Sequence, residues 1–143
     1  MKNHQLDVQV YYEDTDHSGV VYHANYLRYF ERAREHLLGI EHLLTLGREG
    51  IGFVVYKAEL TYKQGAEFGD CLSIRTTIEQ ESPYRLNFDQ QCWRDDDLLV
   101  KAIIQLVCVD ASRKLIRLPQ LVLDELHRQA VLPQKPTGPD KQV

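Results

Sequence analysis

In residues 98–109 every even position is apolar (Leu98, Val100, Ala102, Ile104, Leu106 and Cys108), and Leu99, Ile103, Val107 and Val109 make the odd positions largely apolar too. Side chains alternate between the two faces of a strand, so a strand of this kind is hydrophobic on both and belongs in the interior of a sheet. A chain that contains it must cover both faces. The preceding segments have the ordinary one-sided pattern. Leu72, Ile74, Thr76 and Ile78 alternate with Ser73, Arg75, Thr77 and Glu79, and Leu86, Phe88, Gln90 and Cys92 alternate with Asn87, Asp89, Gln91 and Trp93. Gly69-Asp70, Ser82-Pro83 and Asp95-Asp96-Asp97 mark the reversals between them. Residues 53–62, rich in β-branched and aromatic side chains, form an earlier strand ending at a Gln64-Gly65-Ala66 bend, and residues 114–118 form a short later one. Strands joined by tight turns give an antiparallel sheet.

Cover for one face comes from a helix. Tyr26, Phe30, Ala33, Leu37 and Ile40 recur at spacings of 4, 3, 4 and 3, which predicts a helix from Asn25 to about Leu38 with Arg28, Glu31, Arg32, Arg34 and Glu35 on its opposite face. Gly39 ends it, residues 41–46 form a short second helix, and Pro119 opens a last helical pattern through Leu121, Val122, Leu126 and Ala130. Leu6, Val8 and Val10 alternate with Asp7 and Gln9, placing a first strand over residues 6–12. One long helix after the first strand, followed by four or five antiparallel strands, is an α+β pattern. A chain of 143 residues is expected to be one domain, here residues 1–132. Residues 133–143, which hold three of the five prolines, are expected to be a disordered tail.

Between the first strand and the helix runs Tyr12-Glu13-Asp14-Thr15-Asp16-His17-Ser18-Gly19-Val20-Val21-Tyr22-His23-Ala24-Asn25-Tyr26. Asp16-His17-Ser18-Gly19 has turn chemistry, because aspartate bonds the backbone amides ahead of it and glycine takes positive φ. The stretch thus sets carboxylates beside a helix start, whose first N–H groups have no intrahelical acceptor. Such fixed donors suit the oxyanion of a tetrahedral acyl-transfer intermediate. The donors expected here are the amides around Tyr22, His23 and Ala24. Asp14 is expected to anchor the turn, and to lie on the same side as Asp16 if strand alternation persists.

The run Tyr12-x-Asp14-Thr15-Asp16-x-x-Gly19-Val20-Val21-Tyr22-His23-x-x-Tyr26, with Glu31-Arg32-Ala33-Arg34 after it, resembles the small bacterial acyl-CoA thioesterases of the YbgC and hydroxybenzoyl-CoA thioesterase group. The likeness extends through Phe53-Val54-Val55, Tyr62-x-x-x-Ala66 and Val107-Cys108-Val109-Asp110 to Leu118-Pro119, over residues 8–128. It implies the hotdog fold, an antiparallel sheet wrapped around a central helix. It also implies a homodimer or homotetramer with the active site where subunits meet. The family's catalytic carboxylate falls on Asp16, as nucleophile or as general base for water, and its oxyanion-hole donor on the backbone N–H of His23. Gly19, Tyr22 and Ala24 are then expected to line the substrate site, Tyr22 as an aromatic wall. Lys57, Lys63 and Arg85 are candidates for the coenzyme A phosphates, as cationic side chains able to pair with them at a groove rim. Two departures bear on those contacts: Gly65 stands where the family often has proline, and the Ser82-Pro83 turn lacks a basic residue often found there.

The expected substrate is an acyl-CoA or an acyl-carrier-protein thioester, with no cofactor beyond the coenzyme A of the substrate and no metal. A formal net charge of −4 argues against a nucleic-acid surface. No apolar run approaches the roughly 20 residues of a membrane span, and an N-terminus without an apolar signal core points to the cytoplasm. Cys71, Cys92 and Cys108 lack close spacing and are expected as reduced, buried thiols. Two other readings of the fold stand beside hydrolysis: a dehydratase or hydratase, whose motif the Asp16 to His23 offset does not match, and a non-catalytic acyl-binding or partner-docking protein.

Overall fold

The structure, a computed structural model, describes residues 3–132; the tail expected over residues 133–143 lies outside them. Strand β1 is His4–Gln9, followed by a single 3-10 turn, Tyr12–Asp14. Helices α1 (Asn25–Leu38) and α2 (Ile40–Arg48) come next, then strands β2 (Gly52–Tyr62), β3 (Cys71–Ser82), β4 (Arg85–Arg94), β5 (Asp97–Val109) and β6 (Leu115–Ile116), and helix α3 (Gln120–Arg128). All pairings are antiparallel, in the order β1-β3-β4-β5-β2, with β6 against the end of β5. This is the α+β hotdog arrangement: α1 lies across the sheet and buries Tyr26, Tyr29, Phe30, Ala33, Leu37 and Leu38 in one core with alternate residues of β3, β4 and β5.

The strand over residues 98–109 is interior, as its pattern requires, flanked by β4 and β2. Its even positions from Val100 to Cys108 are buried, whereas Ile103 on the other face is 41% exposed. β2 differs from the other long strands. It is one of the two sheet edges, the other being the short β1, and although it is rich in apolar residues, Val54, Val55, Tyr56 and Tyr62 are all exposed.

Several expectations are corrected. The first strand stops at Gln9, not Tyr12, because the Asp14 carboxylate accepts the Tyr11 N–H at 2.8 Å and curls the chain into its 3-10 turn. Strand alternation therefore does not carry Asp14 to the side of Asp16. Ile40 belongs to α2 and is exposed, because Gly39, at φ 95°, turns the chain before it. Arg34, expected on the solvent face of α1, is buried, because Gln90 of β4 offers it an acceptor inside the core. The strand expected over residues 114–118 shrinks to Leu115–Ile116. Burial pushes the thiols of Cys92 and Cys108 up to about 12 and about 11, but Cys71, at the open start of β3, is exposed.

Candidate active site

The loop between β1 and α1 is held at three levels. Asp14 is its anchor: Oδ1 accepts from Asn25 Nδ2 at 2.8 Å, Oδ2 accepts the Tyr11 N–H, and its carbonyl accepts the Tyr22 N–H at 2.9 Å. Beyond it the chain reverses through Asp16 and Gly19. The Asp16 N–H donates to Val20 O at 2.9 Å, the Gly19 N–H donates to Asp16 O at 3.0 Å, and Gly19 takes φ 86°, a conformation that favours glycine. Finally, the return segment docks on residues 65–67: the Val21 N–H donates to Ala66 O at 2.8 Å, and Val20 pairs with Glu67. A Cβ on Gly65 would lie 2.7 Å from Val20 Cγ1, so glycine there lets the two segments meet. Asp70 braces this support by accepting from the Glu67 N–H and from Arg94 Nη1, both at 2.8 Å. Burial works against the Asp70 charge, but those donors outweigh it and hold its carboxyl below the usual range.

Asp16 is left differently placed. Its Oδ1 accepts the Ser18 N–H at 2.8 Å, while Oδ2 has no partner among the described residues. At the start of α1 the Tyr22 N–H is already taken by Asp14, so of the three amides expected as donors, those of His23 and Ala24 remain without an acceptor among the described residues. The His23 peptide is fixed from its other side, where the Tyr62 hydroxyl donates to His23 O at 2.9 Å. The Tyr26 hydroxyl accepts the Ala66 N–H at 3.1 Å. Burial raises the pKa of both tyrosines, so their hydroxyls keep their protons at neutral pH.

Two clefts meet at Asp16. One, of about 330 Å³, is lined by Asp16, Val20, His23, Tyr26, Tyr62 and Lys63. The other, of about 300 Å³, is polar and lies between Asp16, Glu13, Thr15, Tyr22, Ala24 and Arg28. The structure thus brings Asp16, His23 and Lys63 together, sets Tyr22 and Ala24 on the other side of the same carboxylate, and puts Gly19 in the turn. Lys57 and Arg85 lie elsewhere: Lys57 pairs with Glu59 at 3.4 Å, and Arg85 sits 4.6 Å from the Tyr56 ring centre and 3.5 Å from Glu81. Among the described residues no three His, Cys, Asp or Glu side chains gather as a metal cage, and no helix is long and apolar enough to cross a membrane.

Residues 10–129 match the family model of the thioesterase-like superfamily. The chain belongs to that superfamily. It is 37% identical over 124 residues to the acyl-CoA thioesterase YbgC of Haemophilus influenzae, covering 84% of this chain and 91% of the relative. Against the acyl-CoA thioester hydrolase YbgC of Escherichia coli O157:H7 the identity is 39% over 122 residues, 82% of this chain and 91% of the relative. Among solved structures, a 1,4-dihydroxy-2-naphthoyl-CoA thioesterase from Synechocystis superposes with a TM-score of 0.80 at 29% identity, covering 88% of this chain and 96% of the other. This member of the superfamily is a thioester hydrolase.

The sequence pointed to the loop but not to its supports. The roles of Asn25 and Tyr62 in fixing the helix start give no local signal, since Tyr62 enters only as one residue of the Tyr62-x-x-x-Ala66 likeness and its bond to His23 spans 39 positions. The hydrophilic Gln90 in an otherwise apolar row of β4 was the available sign of a buried polar partner for Arg34.

Proposed function

We propose that this hydrolase cleaves an acyl-CoA to a free acid and coenzyme A, with Asp16 as the catalytic carboxylate and the amides of His23 and Ala24 as the oxyanion hole. The observation that carries the proposal is that Asp16 and His23 line one cleft, while among the described residues Asp16 Oδ2 has no partner and the His23 N–H no acceptor. A thioester carbonyl seated there has donors for its oxygen and a carboxylate for its carbon. Attack by Asp16, or by a water it deprotonates, pushes the carbonyl electrons onto the oxygen, where the fixed N–H groups stabilise them. Collapse breaks the C–S bond and releases the thiolate, which takes up a proton. The names of the YbgC relatives support coenzyme A as the carrier, and Lys63, which lines the cleft, is the basic side chain assigned to its phosphates in this reading. No cofactor or metal enters this scheme, and the cytoplasm supplies such substrates.

The working unit in this reading is a dimer. The β2 edge leaves unpaired N–H and C=O groups beside exposed Val54, Val55, Tyr56 and Tyr62, and pairing with a second copy covers them. Tyr62 both lines the Asp16 cleft and lies on that edge, so the partner borders the site.

Purified protein incubated with short, long and aromatic acyl-CoAs and a thiol reagent tests the activity. Thiol release from at least one series is expected. Release from none, with acyl-CoA still bound, would favour an acyl-binding protein, and release from acyl-carrier-protein thioesters alone would change the carrier. Light scattering with activity across a dilution series tests the dimer, because a fully active monomer of 16.7 kDa contradicts it.

A further inference from the structure

The Asp16 cleft lies at the Tyr62 end of β2. At the other end of that strand, beneath the second half of α1, is a separate cleft of about 230 Å³. Its walls are largely apolar, from Leu38, Leu43, Leu46, Ile51, Phe53 and Val55. Arg34, 5% exposed, lines it too. The guanidinium is supported from behind: Nη1 donates to Gln90 Oε1 at 3.0 Å, and Gln90 Nε2 donates to Phe30 O at 3.1 Å and to Thr76 Oγ1 at 3.0 Å. Gln90 and Thr76 are fully buried, so this chain of bonds fixes how Arg34 points.

What Arg34 lacks is a counter-charge. Among the described residues no carboxylate oxygen comes within 4.0 Å of its nitrogens. Glu31 and Glu35 line the same cleft but are exposed, so water screens them. Burial draws the Arg34 pKa down, against the opposing pull of Glu31 and Glu35. A guanidinium has five N–H donors in a planar fork, and a single hydrogen bond, to a neutral amide, leaves most of them free. A buried guanidinium that lines a largely apolar cleft, lies 6.0 Å from the Phe88 ring centre and has no carboxylate partner among the described residues suits a carboxylate at the end of a short hydrocarbon chain.

We propose that this cleft receives the far end of the acyl group and that Arg34 pairs there with a terminal carboxylate, making half-thioesters of dicarboxylic acids the preferred substrates. This rests on the thioesterase reading above. Within one chain Arg34 lies about 14 Å beyond Asn25 along the axis of α1, at roughly 1.5 Å per residue. In the dimer the span is shorter. Antiparallel pairing of two β2 edges sets the Phe53 end of one strand beside the Tyr62 end of the other, so the Arg34 cleft of one copy adjoins the Asp16 cleft of the second. A carboxylate engages two guanidinium donors, a hydroxyl one and a methyl none.

The test is thiol release by the full-length protein from acyl-CoAs of about four to eight carbons, matched in length and ending in carboxylate, hydroxyl or methyl. At the best length, kcat/KM for the carboxylate series is expected to exceed that for the methyl series about tenfold, a ratio typical of one strong charged contact. Arg34→Gln should erase that ratio while changing the methyl series by less than about threefold, and Arg34→Lys, which keeps the charge without the fork, should keep part of it. Equal or poorer hydrolysis of the carboxylate series at every length overturns the proposal, and so does a preference for hydroxyl ends. An equal loss from all three series in Arg34→Gln assigns Arg34 to the fold alone. If that variant does not fold, an unchanged ratio in Arg34→Lys overturns the idea instead. Should the wild type release no thiol at all, the thioesterase reading fails first, and melting decides the cleft separately. Free pentanoate should then raise Tm where 1-pentanol, of the same length, does not, and no difference between them rejects the pocket.

Discussion

Asp14 and Asp16 are the same side chain two residues apart in one loop, yet their surroundings are opposite. Both oxygens of Asp14 are engaged, by Asn25 Nδ2 and the Tyr11 N–H, and its carbonyl takes the Tyr22 N–H. Asp16, which lines the cleft, has one oxygen bound by the Ser18 N–H and no partner for the other among the described residues. The adjoining amides divide in the same way: that of Tyr22 is used inside the loop, and those of His23 and Ala24 have no acceptor among the described residues. A loop that satisfied every group would be more stable and chemically inert. Here the locked half holds the open half in position, so substitutions on the two sides should fail differently.

The sharpest break in that contrast is Asp16→Asn, which keeps the shape and the Ser18 contact but removes the charge. Turnover should fall about 100- to 10,000-fold, the range for loss of a positioned acid-base group, with Tm nearly unchanged. Near-normal kcat would move the chemistry to another residue.

Asp14→Ala should show the mixed result expected of a positioning residue. Losing bonds to Asn25 and the Tyr11 N–H costs about 1–3 kcal/mol of stability, and the freed helix start should lower kcat about 10- to 100-fold. Asp14→Asn, still able to accept one of those bonds, should recover part of both losses. A fall in Tm with kcat unchanged would show that the anchor serves the fold alone.

The contrast also separates what local sequence can reveal from what it cannot. Alternation in residues 72–78, 86–93 and 98–109 carried the sheet, and the spacing of Tyr26, Phe30, Ala33 and Leu37 carried α1, because both periods are set by neighbours along the chain. The edge position of β2 was not legible, since its apolar residues look the same whether helix, partner or water faces them. Nor was the width of the buried stripe on α1. Arg34 reads as solvent-facing until Gln90, 56 positions away, gives it an acceptor. The acidic loop was legible as a place, and Asp14 was expected as its anchor; the means, a bond to Asn25 and a 3-10 turn where a strand was expected, was not.

Tyr62→Phe tests the locked side more gently. The ring stays in the cleft wall and only the hydroxyl that donates to His23 O is lost. A net hydrogen bond of about 0.5–1.5 kcal/mol corresponds to about a 2- to 10-fold fall in kcat if it positions the adjacent amide in the transition state. KM should change little. A rise in KM at constant kcat would mean that Tyr62 only contacts the substrate.

The smallest effect is expected at His23, although its neighbourhood makes the ring look catalytic. The imidazole lies 4.5 Å from the Tyr22 ring and meets Tyr62 edge-on at 6.4 Å, on the same cleft as Asp16. Among the described residues no hydrogen bond ties either ring nitrogen to another group, and the Asp16 carboxylate has one partner, the Ser18 N–H. An imidazole that assisted Asp16 as a relay would need a hydrogen bond to it or to the reacting atoms. In the proposed scheme this residue contributes only its N–H, present in every amino acid except proline, so His23→Ala should leave turnover within about threefold of wild type, the loss coming from the ring contact with Tyr22. A loss as large as that of Asp16→Asn would show that the side chain takes part and that the open half of the loop includes His23 as well as Asp16.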